Sequence, residues 1–193
     1  MTSISALKNI HSKGFFGNYK SKKEILKISE IKNLLIVQIA QYKNSSLDLN
    51  DIEIDSLKLS NNATSVSKNK DTRILWNGPK NWLLVSNKKN LIETKLRELS
   101  ESDFAITDLS HSKAIIQLEG ESAKEILKKG SPYNFNEMKK DICINSVFNG
   151  ITITIDMIDD NPNQIRLFAL RSFGESLYHS ITDACLEDGY EAI

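Results

Sequence analysis

The residues that first invite a chemical reading stand together in the stretch DLSHS: Asp108, Ser110 and His111. An acid, a hydroxyl and an imidazole are the parts of an acyl-transfer triad. In such a triad the base takes the nucleophile's proton while a third group orients the base. That geometry needs groups converging on a pocket from separate elements. Here all three fall within one short polar link between two strand-like runs, residues 104–109 and 113–118. The spacing predicts a tight turn between antiparallel strands. Asp and Ser suit such turns because their side chains hydrogen-bond local backbone. Asp108 and His111 are therefore expected as turn residues able to touch a partner, and no catalytic residue is assigned.

Other chemistry is sparse. His11, His111 and His179 are scattered, and Cys143 and Cys185 are far apart, so no metal-ligand spacing is present. The eight glycines form neither a GxGxxG nor a Walker-type loop, so no cofactor-binding residue is assigned either. The two cysteines read as buried free thiols of a reducing compartment. Trp76 and Trp82 flank NGPKN; tryptophan anchors cores and interface hot spots alike, so both are core residues or partner contacts at a hairpin. Arg171, just before a C-terminal helix, could hold a carboxylate or a partner backbone, or a surface salt bridge.

Composition narrows the class. Lys+Arg and Asp+Glu are both 25 among 193 residues, a net charge of zero, which argues against nucleic-acid binding driven by a basic surplus. A near-neutral surface also suits life inside a larger assembly. No apolar run reaches the ~18 residues that span a bilayer. The opening MTSISALKNIHSKGFF lacks a signal-peptide core and contains no arginine, so a cytoplasmic protein with an ordered or partner-clasping arm over residues 1–33 is expected.

The elements that must position these residues follow over 34–193, expected as a single domain with an internal pseudo-repeat. LLIVQIAQY (34–42) is a strand buried on both faces. Residues 44–70 read as loops around one weak strand, 52–59. A hairpin is expected over 74–85, with its turn at Gly78–Pro79. A helix is expected over 90–99, with Leu91, Leu96 and Leu99 near one stripe and a start capped by Asn90 and Glu93. A second helix opens at Gly120 and buries Ala123, Ile126 and Leu127. Gly130 is expected as its left-handed cap, and Pro132 prevents continuation. Ile151, Ile153, Ile155 and Met157 alternate with polar residues as in a half-buried strand, which returns over 165–170. Ser172 and Glu175 form the capping box of a last helix burying Phe173, Leu177, Ile181 and Ala184. Strand–strand–helix thus recurs about three times. The fold class is α+β, an antiparallel sheet with helices on one face.

These residues carry a family resemblance. TDLSHSKAIIQLEGESAKEILKKGSP resembles a signature of the gamma subunit of heterotetrameric sarcosine oxidase, through Asp108, Ser110, Leu118, Gly120, Ala123, Leu127, Gly130 and Pro132. ILWNGPKNWLLVS is similar to the family's hairpin through Trp76, Gly78, Pro79 and Trp82. LRSFGESLYHSITDACLEDG is similar to its closing helix through Arg171, Ser172 and Phe173, and SALKNI to its opening segment. One departure is Ser131 before Pro132, where the family often has cysteine; residues 44–70 also match poorly.

The resemblance implies a relative of the folate-binding fold of the glycine-cleavage aminomethyltransferase. It also implies a non-catalytic subunit of a complex that demethylates sarcosine to glycine, with hydrogen peroxide formed. The implied partners are alpha, beta and delta subunits, of which alpha and beta would hold the FAD, FMN, NAD and tetrahydrofolate. Two alternatives stand beside it. One is the small subunit of a related N-methyl amino acid (N-methylglutamate) dehydrogenase. The other is a stand-alone folate-binding protein using Asp108 or Glu119.

Overall fold

The computed structural model of the chain describes residues 4–19, 21, 25–94, 96, 97, 99 and 102–193. In chain order the strands are β1 (Gly14–Phe16), β2 (Leu26–Glu30), β3 (Leu35–Gln41), β4 (Glu53–Ile54), β5 (Leu57–Lys58), β6 (Val66–Lys68), β7 (Thr72–Gly78), β8 (Asn81–Ser86), β9 (Phe104–Asp108) and β10 (Lys113–Glu119). Helix α1 (Ala123–Lys128) follows. Then come β11 (Cys143–Phe148), β12 (Ile151–Asp160), β13 (Asn163–Leu170), helix α2 (Gly174–Cys185) and β14 (Tyr190–Ala192). Among the described residues no helix is long and apolar enough to cross a membrane.

The chain divides into two compact units: residues 1–32 with 112–193, and residues 33–111. The sequence reading draws one boundary near residue 33 and a single domain after it. The structure divides the chain after Lys32 and after His111, with residues 1–32 joined to 112–193 in one unit. The larger unit holds a seven-stranded sheet in the order β1-β14-β2-β10-β13-β12-β11. All its pairs are antiparallel except β14 with β2. Period-two alternation puts Ile153, Ile155 and Met157 of β12 and Ile165, Leu167 and Ala169 of β13 on one face. Both helices cover that face. Ala123, Ile126 and Leu127 of α1 and Leu177, Ile181 and Cys185 of α2 complete the same core. The α+β class with helices on one face of a largely antiparallel sheet is what the sequence leads one to expect.

The smaller unit holds a five-stranded sheet, β6-β7-β8-β3-β9, and the β4–β5 hairpin. β3 lies between β8 and β9, and its Leu35, Ile36, Val37 and Ile39 are buried, residues of both faces among them. The expected strand over 52–59 is a hairpin instead. Ile52, Ile54, Leu57 and Leu59 are all buried, and alternation breaks between Ile54 and Leu57. Asp55 and Ser56 turn the chain there with φ of 53° and 62°, the primed-turn conformation of tight hairpins. The turn is anchored through the Asp55 carboxylate. It accepts hydrogen bonds from Lys88 Nζ at 2.7 Å, Thr72 Oγ1 at 2.6 Å and Asn69 Nδ2 at 3.1 Å.

Other expectations are corrected. The N-terminal residues, expected as an ordered or partner-clasping arm, run through β1 and β2 within the large sheet, and Leu7 is fully buried in its core. The runs 104–109 and 113–118 are not a hairpin, because β9 pairs with β3 and β10 pairs with β2 and β13. In place of a helix over 90–99, Lys89–Ile92 makes one 3₁₀ turn with no side-chain cap. Leu91 and Leu96 are buried there nonetheless, and Lys95 and Glu98 lie outside the described residues. The Ser172–Glu175 box does not form. A 3₁₀ turn, Arg171–Phe173, leads into α2 at Gly174 and leaves Phe173 exposed. Gly174 is needed for close packing, since a Cβ there would lie 2.9 Å from the Ala114 Cβ.

Gly130 has no left-handed φ. Its role is space: a Cβ there would lie 2.7 Å from the Phe148 ring and 2.8 Å from Asn149 Oδ1. Gly130→Ala should therefore destabilise the protein by about 1–3 kcal/mol, read by denaturant unfolding, because the fully buried Phe148 cannot yield. No loss of stability would assign Gly130 no packing role.

Asp55 gives a second prediction. Partial burial pushes its carboxyl up, but the bonds from Lys88, Thr72 and Asn69 outweigh this and hold it below the usual 3.8. Because the folded value is the lower one, the contribution is complete above 3.8 and is lost as pH falls through the folded value. Asp55→Asn should lower stability at neutral pH and flatten the decline below about pH 4, followed by circular dichroism. An acid profile identical to wild type would remove Asp55 from the account.

Candidate docking surface

The five residues singled out as partner contacts fall into both units. Trp82 is 1% exposed, and its Nε1 donates to the Ser60 carbonyl at 2.7 Å. It is a core residue with no surface to offer, because β8 lies inside the sheet. Trp76, directly opposite it on β7, is half-buried. Asp108 and His111 are exposed. Asp108 Oδ1 accepts from Ser110 N at 2.8 Å, and Ser110 Oγ accepts from Ile36 N at 3.0 Å. The acid and the hydroxyl thus stitch the end of β9 to β3, and DLSHS is the link along which the chain passes from one unit to the other. Among the described residues no group of three His, Cys, Asp or Glu side chains could hold a metal ion.

Arg171 is where the sequence reading gains most. Its Nη2 donates to the Ile4 carbonyl at 2.5 Å, and its own N–H donates to Ser112 O at 2.8 Å. It grips this chain's N-terminal backbone. The same segment is held from the other side by Glu30, whose carboxylate accepts from Ser5 Oγ and from Ala6 N at 2.8 Å. Three apolar residues linked to Arg171 by the chain or by that bond are exposed: Leu170 at 51% and Phe173 at 48%, which flank it in sequence, and Ile4 at 71%, whose carbonyl it holds. An aromatic and an arginine among aliphatics is the composition of interface cores. The sequence placed Leu170 in a strand and Phe173 on a buried helix face, so both were missed as surface residues. The signal was available in Leu-Arg-Ser-Phe, two apolar residues bracketing a helix start. A second exposed set, Phe15, Tyr19 and Leu186, lies beside edge strand β1. The two rings are 5.7 Å apart, and Asn18 N bonds the Leu186 carbonyl at 2.9 Å.

A cleft of about 470 Å³ opens beside α2, lined by Ile10, Ser12, Phe16, Tyr178, His179 and Tyr190 among others. Burial pushes the Tyr178 phenol up to about 12 and the Tyr190 phenol up as well. Both are neutral at physiological pH and serve as ring faces and donors rather than bases. His11 stacks on Tyr178 at 5.3 Å and bonds the Ile193 carbonyl through Nε2 at 3.1 Å, which ties the N-terminal turn to the last strand. His179 is exposed on the polar side of α2, as expected. Cys143 and Cys185 are free and buried, and burial pushes the Cys185 thiol up to about 12, so it is an inert core group.

Residues 53–187 match the family model described as sarcosine oxidase, gamma subunit family. No curated protein matches the chain. Among solved structures, a chain of the heterotetrameric sarcosine oxidase from Corynebacterium sp. U-96, in complex with pyrrole 2-carboxylate, superposes with a TM-score of 0.77. The identity is 21%, over 87% of each chain. The glycine cleavage system aminomethyltransferase T from Bartonella henselae superposes at 0.61 with 11% identity, over 91% of this chain and 55% of that one. At these identities the likeness is one of fold.

Removing the Arg171 grip should loosen the N-terminal segment. In Arg171→Ala, hydrogen exchange across residues 4–7 should rise by about tenfold while β12 and β13 stay protected. Unchanged exchange at the N-terminus would assign the anchoring to Glu30 alone.

Proposed function

The chain belongs to the sarcosine oxidase, gamma subunit family, and on that premise we propose that it is a non-catalytic docking subunit of a sarcosine-oxidising complex. It docks on the flavoprotein subunits, alpha and beta, and helps hold them together with the delta subunit. The observation that carries this reading is the exposure of Leu170 and Phe173, which flank Arg171 in the chain, and of Ile4, whose carbonyl Arg171 holds, in a chain whose Asp108 and Ser110 are occupied with backbone. Partner subunits supply the FAD, FMN, NAD and tetrahydrofolate, and with them the oxidation of sarcosine to glycine. This chain contributes apolar surface whose burial on assembly is favourable in proportion to its area.

Co-expression with the flavoprotein subunits tests the reading. The wild-type chain should co-purify with them. Leu170→Asp combined with Phe173→Asp should weaken that association by about a hundredfold, since carboxylates would be driven into an apolar contact. A wild-type chain that elutes alone beside an intact, active flavoprotein complex would overturn the proposal.

A further inference from the structure

We propose that the outer edge of β9 receives an extended segment of a partner subunit, which adds a strand to the smaller unit's sheet; this rests on the reading of the chain as a docking subunit. Tyr42 N donates to Asp103 O and Leu109 N to Ile36 O, each at 2.8 Å, at the two ends of the β3–β9 pair. With Gln41 opposite Phe104, Ile39 opposite Ile106 and Val37 opposite Asp108, antiparallel alternation assigns the inward bonds to Asp103, Ala105, Thr107 and Leu109. The N–H and C=O groups of Phe104, Ile106 and Asp108 therefore point outward. Among the described residues nothing bonds to them.

Edge strands are usually blunted by Lys, by Pro or by a bulge. β9 reads FAITD and keeps an unbroken register with β3, so it carries none of these. A groove of about 840 Å³ runs beside it, with Tyr42, Ile92, Leu96, Arg97 and Leu99 as its other wall. Phe104 and Leu96 belong to the smaller unit's core, and Ile92, Leu99 and Ile106 pack against it from partly exposed positions. The core thus continues to the groove and stops there.

Backbone groups in a row, with alternate pockets beside them, are the recognition surface for an added strand. Residues opposite Phe104, Ile106 and Asp108 would share the core-facing side. The complementary segment therefore carries two apolar residues and a lysine or arginine at alternate positions, the cation set against the exposed Asp108. A second copy of this chain fits worse. Two-fold antiparallel pairing about Ile106 would set the Asp108 carboxylate of one copy against Phe104 of the other, on the buried face.

The test uses the full chain alone and co-expressed with the flavoprotein subunits. In the assembled wild type, amide exchange over residues 104–108 should slow by about tenfold or more. Ile106→Pro removes one outward N–H without touching a bond to β3, a place where edge proline is tolerated. Ile106→Ala loses the same side chain but keeps the N–H. The proline variant should assemble about tenfold more weakly than the alanine variant, while the isolated chain keeps its circular dichroism. Unchanged exchange over 104–108 in the assembled wild type overturns the proposal, and does so even where the proline variant fails to fold. Equal assembly by the two variants also overturns it. Self-association of the chain alone, removed by the proline, assigns the edge to a second copy and overturns it too. A wild-type chain that joins no complex removes the docking-subunit reading and this inference with it.

Discussion

The larger unit depends on the two-sided backbone ladder of β10. This strand pairs with β13 along its whole length and with β2 over Ile116–Glu119. Its core-facing side chains, Ile116 and Leu118, are fully buried. Every other strand of that sheet reaches the rest through it: β1, β14 and β2 on one side, β13, β12 and β11 on the other. A strand buried between two neighbours has no unmatched N–H or C=O, which removes the cost of burying polar backbone. Gly120 ends the strand with φ of 143° and stands close to Leu26, where a Cβ would lie 3.3 Å from the Leu26 Cα. The turn into α1 is thus set by the approach of β2.

That arrangement explains why the surface matters more than any cleft. The polar groups with chemical potential are committed locally. Asp108 and Ser110 fasten β9 to β3, Asp55 fastens a hairpin, Glu30 and Arg171 fasten the N-terminal segment, and His11 fastens the C-terminal strand. Some of what remains outward is apolar. Exposed groups such as Leu170 and Phe173 are too few to destabilise a monomer severely, yet they flank an arginine in the chain, and an interface that covers them gains both area and hydrogen bonds.

Much of this was legible in the sequence. The alternation of Ile153, Ile155 and Met157 gave β12 and its buried face, the LLIVQIAQY run gave β3, and the Ala123, Ile126, Leu127 spacing gave α1. Pairing was less legible, because alternation states which face is buried and not which strand lies alongside. DLSHS has every local mark of a hairpin turn, yet its flanking strands join different sheets. The segment 90–99 shows helical spacing, but Leu91 is buried from a 3₁₀ turn over Lys89–Ile92 and Leu96 from the irregular chain after it. The Asp55–Ser56 turn was hidden because neither residue is glycine, while its φ values are those glycine favours. Phe173 looked like core because the amphipathic pattern was extended one turn too far.

The split of the larger unit has a consequence for the order of events during synthesis. Strands β1 and β2 leave the ribosome before the whole smaller unit, while their partners β14 and β10 come after it. The smaller unit can close its sheet as soon as β9 has emerged, from contacts within its own segment. The first strands must wait, with Leu26 and Ile28 exposed, until β10 arrives, and β1 must wait for the last residues of the chain. Long-range pairing of this kind is slow and leaves apolar edges open meanwhile. The N-terminal segment is therefore the part of the nascent chain most in need of a chaperone, although it is well anchored in the finished molecule.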